Sequence, residues 1–226
     1  MATLLLVRHG MTPITGKKLA GWTPGLHLSD EGRAQAEGLV ERLRDVALEA
    51  IYASPLERCR ETALPLAKAR GLRITPRKDL GEVHYGDWTD GTLAELRKDK
   101  LWPAVMHLPS TVRFPGGESF LEAQHRAVAE LERIAAAHPD ETVACFTHAD
   151  LIRLVLAHFL GIHLDLFQRI AIDTCSVSVL AVGGHMPMLL KMNDTGPLKI
   201  AKREAKPKGA ARAKARTTKR TKKGAR

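Results

Sequence analysis

The chain has 226 residues, 44% hydrophobic and 27% charged, a balance that supports a packed core and excludes a wholly disordered or fibrous protein. Its formal charge of +10 is uneven: Pro197 to Arg226 carries 13 Lys and Arg against one acid, Glu204, which leaves 22 basic and 24 acidic residues in the body. The three cysteines, Cys59, Cys145 and Cys175, are odd in number and lack metal-ligand spacing. That pattern argues against a disulfide framework and for a reducing compartment, the cytoplasm. No apolar run is long enough to span a bilayer, and the N-terminus has no basic n-region of a signal peptide.

Leu4 to Val7 is a short apolar run of the kind that forms a buried parallel strand, and it stops at Arg8-His9-Gly10. The next residues, with Pro13, Gly16, Gly21, Trp22, Pro24 and Gly25, read as a binding loop. Ser29 is placed as the N-cap of a helix carrying Ala36, Leu39, Val40 and Leu43 inward. Ala50–Ala53 is a second strand, and Pro55 is expected in the first turn of the helix that follows, which Gly71 closes. Leu72–Thr75 is a third strand. This alternation argues for an α/β protein with parallel strands joined by right-handed crossovers.

Residues 80–117 are rich in Gly, Pro and Trp and read as an insertion over the sheet's carboxyl edge, with a short helix near Leu93–Lys98. Ser119–Ala137 is a long amphipathic helix. Thr142–Thr147 is the clearest interior strand; it ends at His148, and a helix over Leu151–Leu160 follows. Cys175–Val182 and Met188–Met192 pair as a late hairpin around Gly183-Gly184. Beyond Gly196 the apolar pattern ends. The body is therefore expected over 1–196 and a disordered basic tail over 197–226.

Open α/β sheets bind ligands at the carboxyl ends of their strands. Arg8-His9, Arg58 and His148 all fall just after strands and converge there, with Glu82 arriving from the insertion. Two arginines beside two histidines make a receptor for a doubly charged oxyanion. Each residue also has a plainer reading. Arg58 can pair with Glu57 or Glu61 on its own helix, and His148 can be a hydrogen-bonded core histidine. Glu82 competes with Asp87 and Asp90, while His84 and Tyr85 are candidates for the mouth. Trp22, Trp88 and Trp102 read as packing anchors, and His27, His125 and His158 as structural.

Taken in order, Leu6-Val7-Arg8-His9-Gly10, Leu28-Ser29 with Gly32, Ser54-Pro55-Leu56 with Arg58, Leu80 with Glu82, Gly116-Gly117-Glu118-Ser119 and Thr147-His148 resemble the histidine phosphatase superfamily, the phosphoglycerate mutase-like proteins. The resemblance runs from Leu4 to about Asn193. It implies a three-layer sandwich, with a mostly parallel central sheet and helices on both faces. It implies His9 as nucleophile through a phosphohistidine, Glu82 as general acid and base, and His148 with them in catalysis. Arg8, Arg58, Thr15 and Gly21 would hold phosphate or substrate, and no metal or cofactor is implied. The sequence departs from the family pattern at Met11, Thr15, Ala20 and Ala149-Asp150.

The implied activity is a metal-independent phosphomonoesterase acting on a small phosphorylated metabolite. The 66-residue interval from Glu82 to His148 is short for the mutase branch, which stays as the alternative. A third reading is a phosphoryl-ligand-binding protein. The tail would make weak nucleic-acid or polyanion contacts through counterion release. No membrane partner is expected, and the oligomeric state is not legible.

Overall fold

The structure, a computed structural model, describes residues 1–183 and 186–198. Its sheet has six strands: β1 (Ala2–Arg8), β2 (Ala50–Ala53), β3 (Ile74–Pro76), β4 (Thr142–Thr147), β5 (Val177–Val182) and β6 (Met188–Asp194). Their spatial order is β3-β2-β4-β1-β5-β6. The first four run parallel, while β5 is antiparallel to β1 and β6 antiparallel to β5. The carboxyl end of β6 therefore lies at the same edge as that of β1.

Side chains alternate across a strand, and here both faces are buried. Leu4 and Leu6 of β1 and Val143 and Cys145 of β4 face α5 (Phe120–Ala137) and α6 (Ala149–Phe159). Leu5, Val7, Ala144 and Phe146 face α1 (Asp30–Arg42) and α2 (Glu57–Arg70). The expected three-layer α/β sandwich is what forms. Two short helices, α3 (Leu93–Leu96) and α4 (Trp102–His107), lie in the insertion.

Local chemistry fixes the helix ends. Ser29 caps α1 by accepting from Gly32 N–H. Ser119 and Glu122 form a reciprocal capping box on α5. Gly71 closes α2 in the left-handed region at φ 63°.

Several expected boundaries move. Pro55 lies ahead of α2, which begins at Glu57 after an extended Leu56. β3 starts at Ile74, because Leu72 N–H turns back to the Ala67 carbonyl. α6 starts two residues early, at Ala149. β5 starts at Val177, since Cys175 has a positive φ of 53°. α4 was not anticipated: Pro103 reads as a breaker, yet it stands in the helix's first turn, where its missing N–H is not needed.

Packing continues two residues past the expected boundary at 196. Leu198 is buried in the α1/α2-side core, and its N–H donates to the Arg42 carbonyl at 3.1 Å. The expectation of a disordered tail falls, for 199–226, outside the described residues. No helix among the described residues is long and apolar enough to cross a membrane.

Candidate active site

Backbone register brings the two histidines together. Arg8 of β1 pairs with Thr147 of β4, and His9 N–H donates to the Thr147 carbonyl at 3.0 Å. The next residue on each strand is therefore a histidine at the same edge. The rings of His9 and His148 meet edge to face, with centroids 5.3 Å apart.

His9 Nδ1 lies 2.8 Å from the Gly10 carbonyl. A carbonyl only accepts, so Nδ1 carries the proton and Nε2 keeps its lone pair. Burial, then the charges of Arg58 and Arg8, hold the His9 pKa well below the usual imidazole value. The ring is therefore neutral and nucleophilic at Nε2. Gly10 permits a close approach behind it: a Cβ there would stand 2.7 Å from the Gly32 carbonyl oxygen.

Arg58 is fully buried in the first turn of α2. Its Nη2 donates to the Gly21 carbonyl at 2.7 Å and to His148 Nδ1 at 3.2 Å. Its Nε and Nη1 have no hydrogen-bond partner among the described residues, and neither does the buried Nε of Arg8. Leaving a buried charged donor unpaired costs more than a net hydrogen bond is worth. Three unspent guanidinium donors beside His9 are what a tetrahedral oxyanion would satisfy. Arg8 Nη1 donates to the Ile172 carbonyl at 2.7 Å, which fixes that side chain.

His148 is fully buried and also held neutral, by burial first and then by Arg58 and His9. Its Nδ1 accepts from Arg58, and its Nε2 lies 2.9 Å from Ser54 Oγ. Glu82 Oε2 is 3.7 Å from His148 Nδ1, and Glu82 Oε1 accepts from Val83 N–H at 3.0 Å. Burial, with the charge of Asp150 second, pushes the Glu82 carboxyl up to about 7 against the opposing pull of Arg58 and Arg8. Glu82 thus both gains and loses a proton near neutrality, as a group serving as acid and then base must.

The structure brings Arg8, His9, Arg58, Glu82 and His148 to one edge. Thr15 is different: its hydroxyl accepts from Thr12 N–H at 2.9 Å and contacts Thr12 Oγ1 at 2.9 Å. Where Thr12 Oγ1 is the donor of that pair, the Thr15 hydroxyl is tied into its own loop and keeps its proton to donate elsewhere. Gly21 joins the site through its carbonyl, which accepts from Arg58. The plainer reading of Arg58 fails because its guanidinium turns inward to Gly21 and His148 and, among the described residues, forms no ion pair with Glu57 or Glu61, the latter engaged by His27 and by Leu28 N–H. Asp87 and Asp90 are not the acids nearest His148.

Sequence reading missed Ser54 and Thr62 as site residues. Thr62 Oγ1 accepts from Gly10 N–H at 2.9 Å and donates to the Arg58 carbonyl at 2.6 Å, tying the His9 loop to α2. The available signal was a hydroxyl residue one helical turn past Arg58. Asp150 was noted only as a departure from pattern. It accepts from Tyr85 Oη at 2.7 Å and from Arg153 Nη1 at 2.8 Å, and so carries a structured negative charge toward Glu82.

The model of the family described as "Histidine phosphatase superfamily (branch 1)" matches residues 4–195. The chain belongs to the histidine phosphatase superfamily. It is 31% identical over 206 residues to phosphoserine phosphatase 1 of Hydrogenobacter thermophilus, covering 86% of this chain and 93% of that one. Among solved structures it resembles Bacillus stearothermophilus YhfR, with a TM-score of 0.81, 30% identity, and coverage of 86% and 98%. The mycobacterial glucosyl-3-phosphoglycerate phosphatase solved with VO3 gives a TM-score of 0.77 at 25% identity, with coverage of 84% and 98%. With phosphatase-named relatives at this likeness, the chain is a histidine phosphatase enzyme.

The unspent donors of this histidine phosphatase give a direct test. Inorganic phosphate should raise the thermal midpoint of the wild-type chain, by the equivalent of about 2.7 kcal/mol at a hundredfold excess over its Kd. In Arg58→Lys, which keeps the charge but loses the planar fork, that rise should largely disappear and turnover should fall roughly 10²- to 10³-fold. Thermal denaturation with and without phosphate checks this, and an undiminished shift in Arg58→Lys would remove Arg58 from the anion site.

Proposed function

We propose that this chain hydrolyses a small phosphorylated metabolite by double displacement, with His9 as nucleophile. The observation that carries the reading is the neutral His9, with Nε2 free and three unspent guanidinium donors around it. In the first step the Nε2 lone pair attacks phosphorus, and the P–O ester bond breaks. The protonated carboxyl of Glu82 gives its proton to the leaving alkoxide. In the second step the Glu82 carboxylate takes a proton from water, whose oxygen attacks phosphorus. The N–P bond breaks, and its electron pair returns to Nε2.

Arg8 and Arg58 supply charge where the equatorial oxygens gather it. His148 joins this clamp through its Nδ1 edge, which faces Arg58 and Glu82. The hydroxyl of Ser54 either accepts from or donates to Nε2. His148 can therefore move its proton to Nδ1 when a phosphoryl oxygen takes the place of Arg58 as its partner.

The relatives support a small phosphorylated substrate, since their names give phosphoserine and glucosyl-3-phosphoglycerate as substrates of those proteins. The reading includes a cytoplasmic location, supported by three cysteines that are all free. It also gives the basic tail a separate role, contact with polyanions. β6 ends at Asp194, toward the site edge of the sheet. Asp194 lies in one row with Val177 and Val7, two strand spacings or about 10 Å from β1.

His9→Ala should abolish turnover of phosphomonoesters and remove the acid-labile label left by a radioactive phosphoryl donor. A His9→Ala chain that still labels would end the phosphohistidine reading. For an alkyl phosphomonoester, kcat/KM should fall as pH rises through about 7, because the acid form of Glu82 is then lost. Glu82→Gln should flatten that limb and cost roughly 10²- to 10⁴-fold in rate. An unchanged limb in Glu82→Gln would assign the titration to another group. Ending the chain at Leu198 should leave kcat on small substrates within about twofold, while removing salt-sensitive retention on immobilised polyphosphate. A large loss of kcat would place the tail in the catalytic machinery.

A further inference from the structure

Glu82 sits at the start of the insertion, with no helix or strand of its own, yet its carboxyl must meet a leaving-group oxygen to within a few tenths of an ångström. Something has to hold that segment. Resting on the reading of Glu82 as general acid, we propose that Arg126 and Glu118, with Trp22, are positioning residues that fix the Glu82 backbone and thereby set the efficiency of proton transfer to the leaving group.

The contacts are complete and directional. Arg126 reaches out from α5 with side-chain exposure of 18%. Its Nη1 donates to the carbonyls of Asp79 and Gly81, both at 2.9 Å. Its Nη2 donates to the Glu82 carbonyl at 2.9 Å and to Glu118 Oε1 at 2.6 Å. Its Nε donates to Glu118 Oε2 at 3.0 Å. All five guanidinium N–H groups are used.

Glu118 closes the other side. Its Oε1 also accepts from His84 N–H at 2.9 Å, while Glu118 N–H donates to the His84 carbonyl at 2.9 Å. The Trp22 indole donates to the Glu82 carbonyl at 2.5 Å. Its ring lies against Gly81, where a Cβ would stand 2.2 Å from the indole, and stacks on His84 at 4.4 Å. Thr147 Oγ1 takes the Leu80 carbonyl at 2.6 Å. Four consecutive carbonyls, from Asp79 to Glu82, and both backbone groups of His84 are thus tied down.

Lysine at position 126 keeps the charge but cannot serve five acceptors, so it separates positioning from simple electrostatics. A general acid matters most when the leaving group is a poor one. The discriminating readout is therefore the ratio of kcat/KM for an alkyl phosphomonoester to that for p-nitrophenyl phosphate, whose leaving group departs without a proton.

The experiment measures that ratio in wild type, Glu82→Gln, Arg126→Lys, Glu118→Gln, Trp22→Phe and the double variant Glu82→Gln with Arg126→Lys. Arg126→Lys and Glu118→Gln are expected to lower the ratio at least about tenfold, and Trp22→Phe to lower it less. The double variant should have the ratio of Glu82→Gln alone, because Arg126 acts through Glu82. If Arg126→Lys does not fold, Trp22→Phe, which removes one donor and keeps an aromatic ring, carries the test.

Equal losses on both substrates, or an Arg126→Lys effect that adds fully to that of Glu82→Gln, would overturn the positioning role. Those results would leave Glu82 as the acid if Glu82→Gln alone lowers the ratio. An unchanged ratio in Glu82→Gln would instead overturn the general-acid reading, and the positioning role with it.

Discussion

A guanidinium buried without a carboxylate is the constraint around which this molecule is arranged. Arg58 has no solvent exposure, and two of its nitrogens have no partner among the described residues. A buried charge is tolerated only where it is paired or where binding will pair it. The fold meets part of the demand with neutral acceptors, the Gly21 carbonyl and His148 Nδ1. Among the described residues it meets none of it with a carboxylate in ion-pair contact. The same positive charge helps keep both histidines neutral. Burial first, and then this cation together with Arg8, keep the imidazole beside it neutral, while the unpaired donors of Arg58 prepare an anion site.

The sheet supplies the second requirement, which is placement. Neighbouring parallel strands in register end at the same level, so the residues just past them share one edge. Here Arg8 pairs with Thr147 and Ala53 with Phe146, which places His9, His148 and Ser54 side by side. No loop has to be ordered to bring these three together. Thr62 then ties the Gly10 amide to the Arg58 carbonyl, which joins the His9 loop to the first turn of α2. Placement on paired strands and a helix turn holds catalytic geometry more tightly than placement on free loops.

That division explains what the sequence made legible. Residues carried by strand ends and the first turn of α2 could be found from periodicity and local motif: Arg8, His9, Arg58 and His148. The strands themselves were readable because Leu4–Val7 and Thr142–Thr147 are apolar on both faces and stop sharply at polar residues. The insertion was opaque. Its helix α4 is hidden by Pro103, whose meaning depends on whether a helix has already begun. At Thr15 a hydroxyl beside a binding loop serves the loop and the ligand equally well in one dimension, and the contact with Thr12 shows the first of those roles. Asp150 stood out in sequence solely as a departure from pattern, although its charge bears on Glu82 across a distance that no local motif encodes.

Glu82 marks the limit of local reading for a physical reason. A residue on a strand inherits its position from the sheet, but Glu82 has no such frame and must be positioned by groups distant in the chain. Trp22 lies 60 residues before it and Arg126 44 residues after it. Each supplies a donor to the same carbonyl. The cost of ordering that segment is offset by bonds from the α5 helix and from the loop packed on Gly81. In exchange the carboxyl remains buried and free of a strong ion pair. That is the condition under which its proton affinity sits near neutrality rather than in the usual carboxylate range. A salt bridge to Glu82 itself would hold the side chain as firmly and would pull its proton affinity back toward the usual carboxylate range. Anchoring the backbone instead of the carboxylate resolves that conflict.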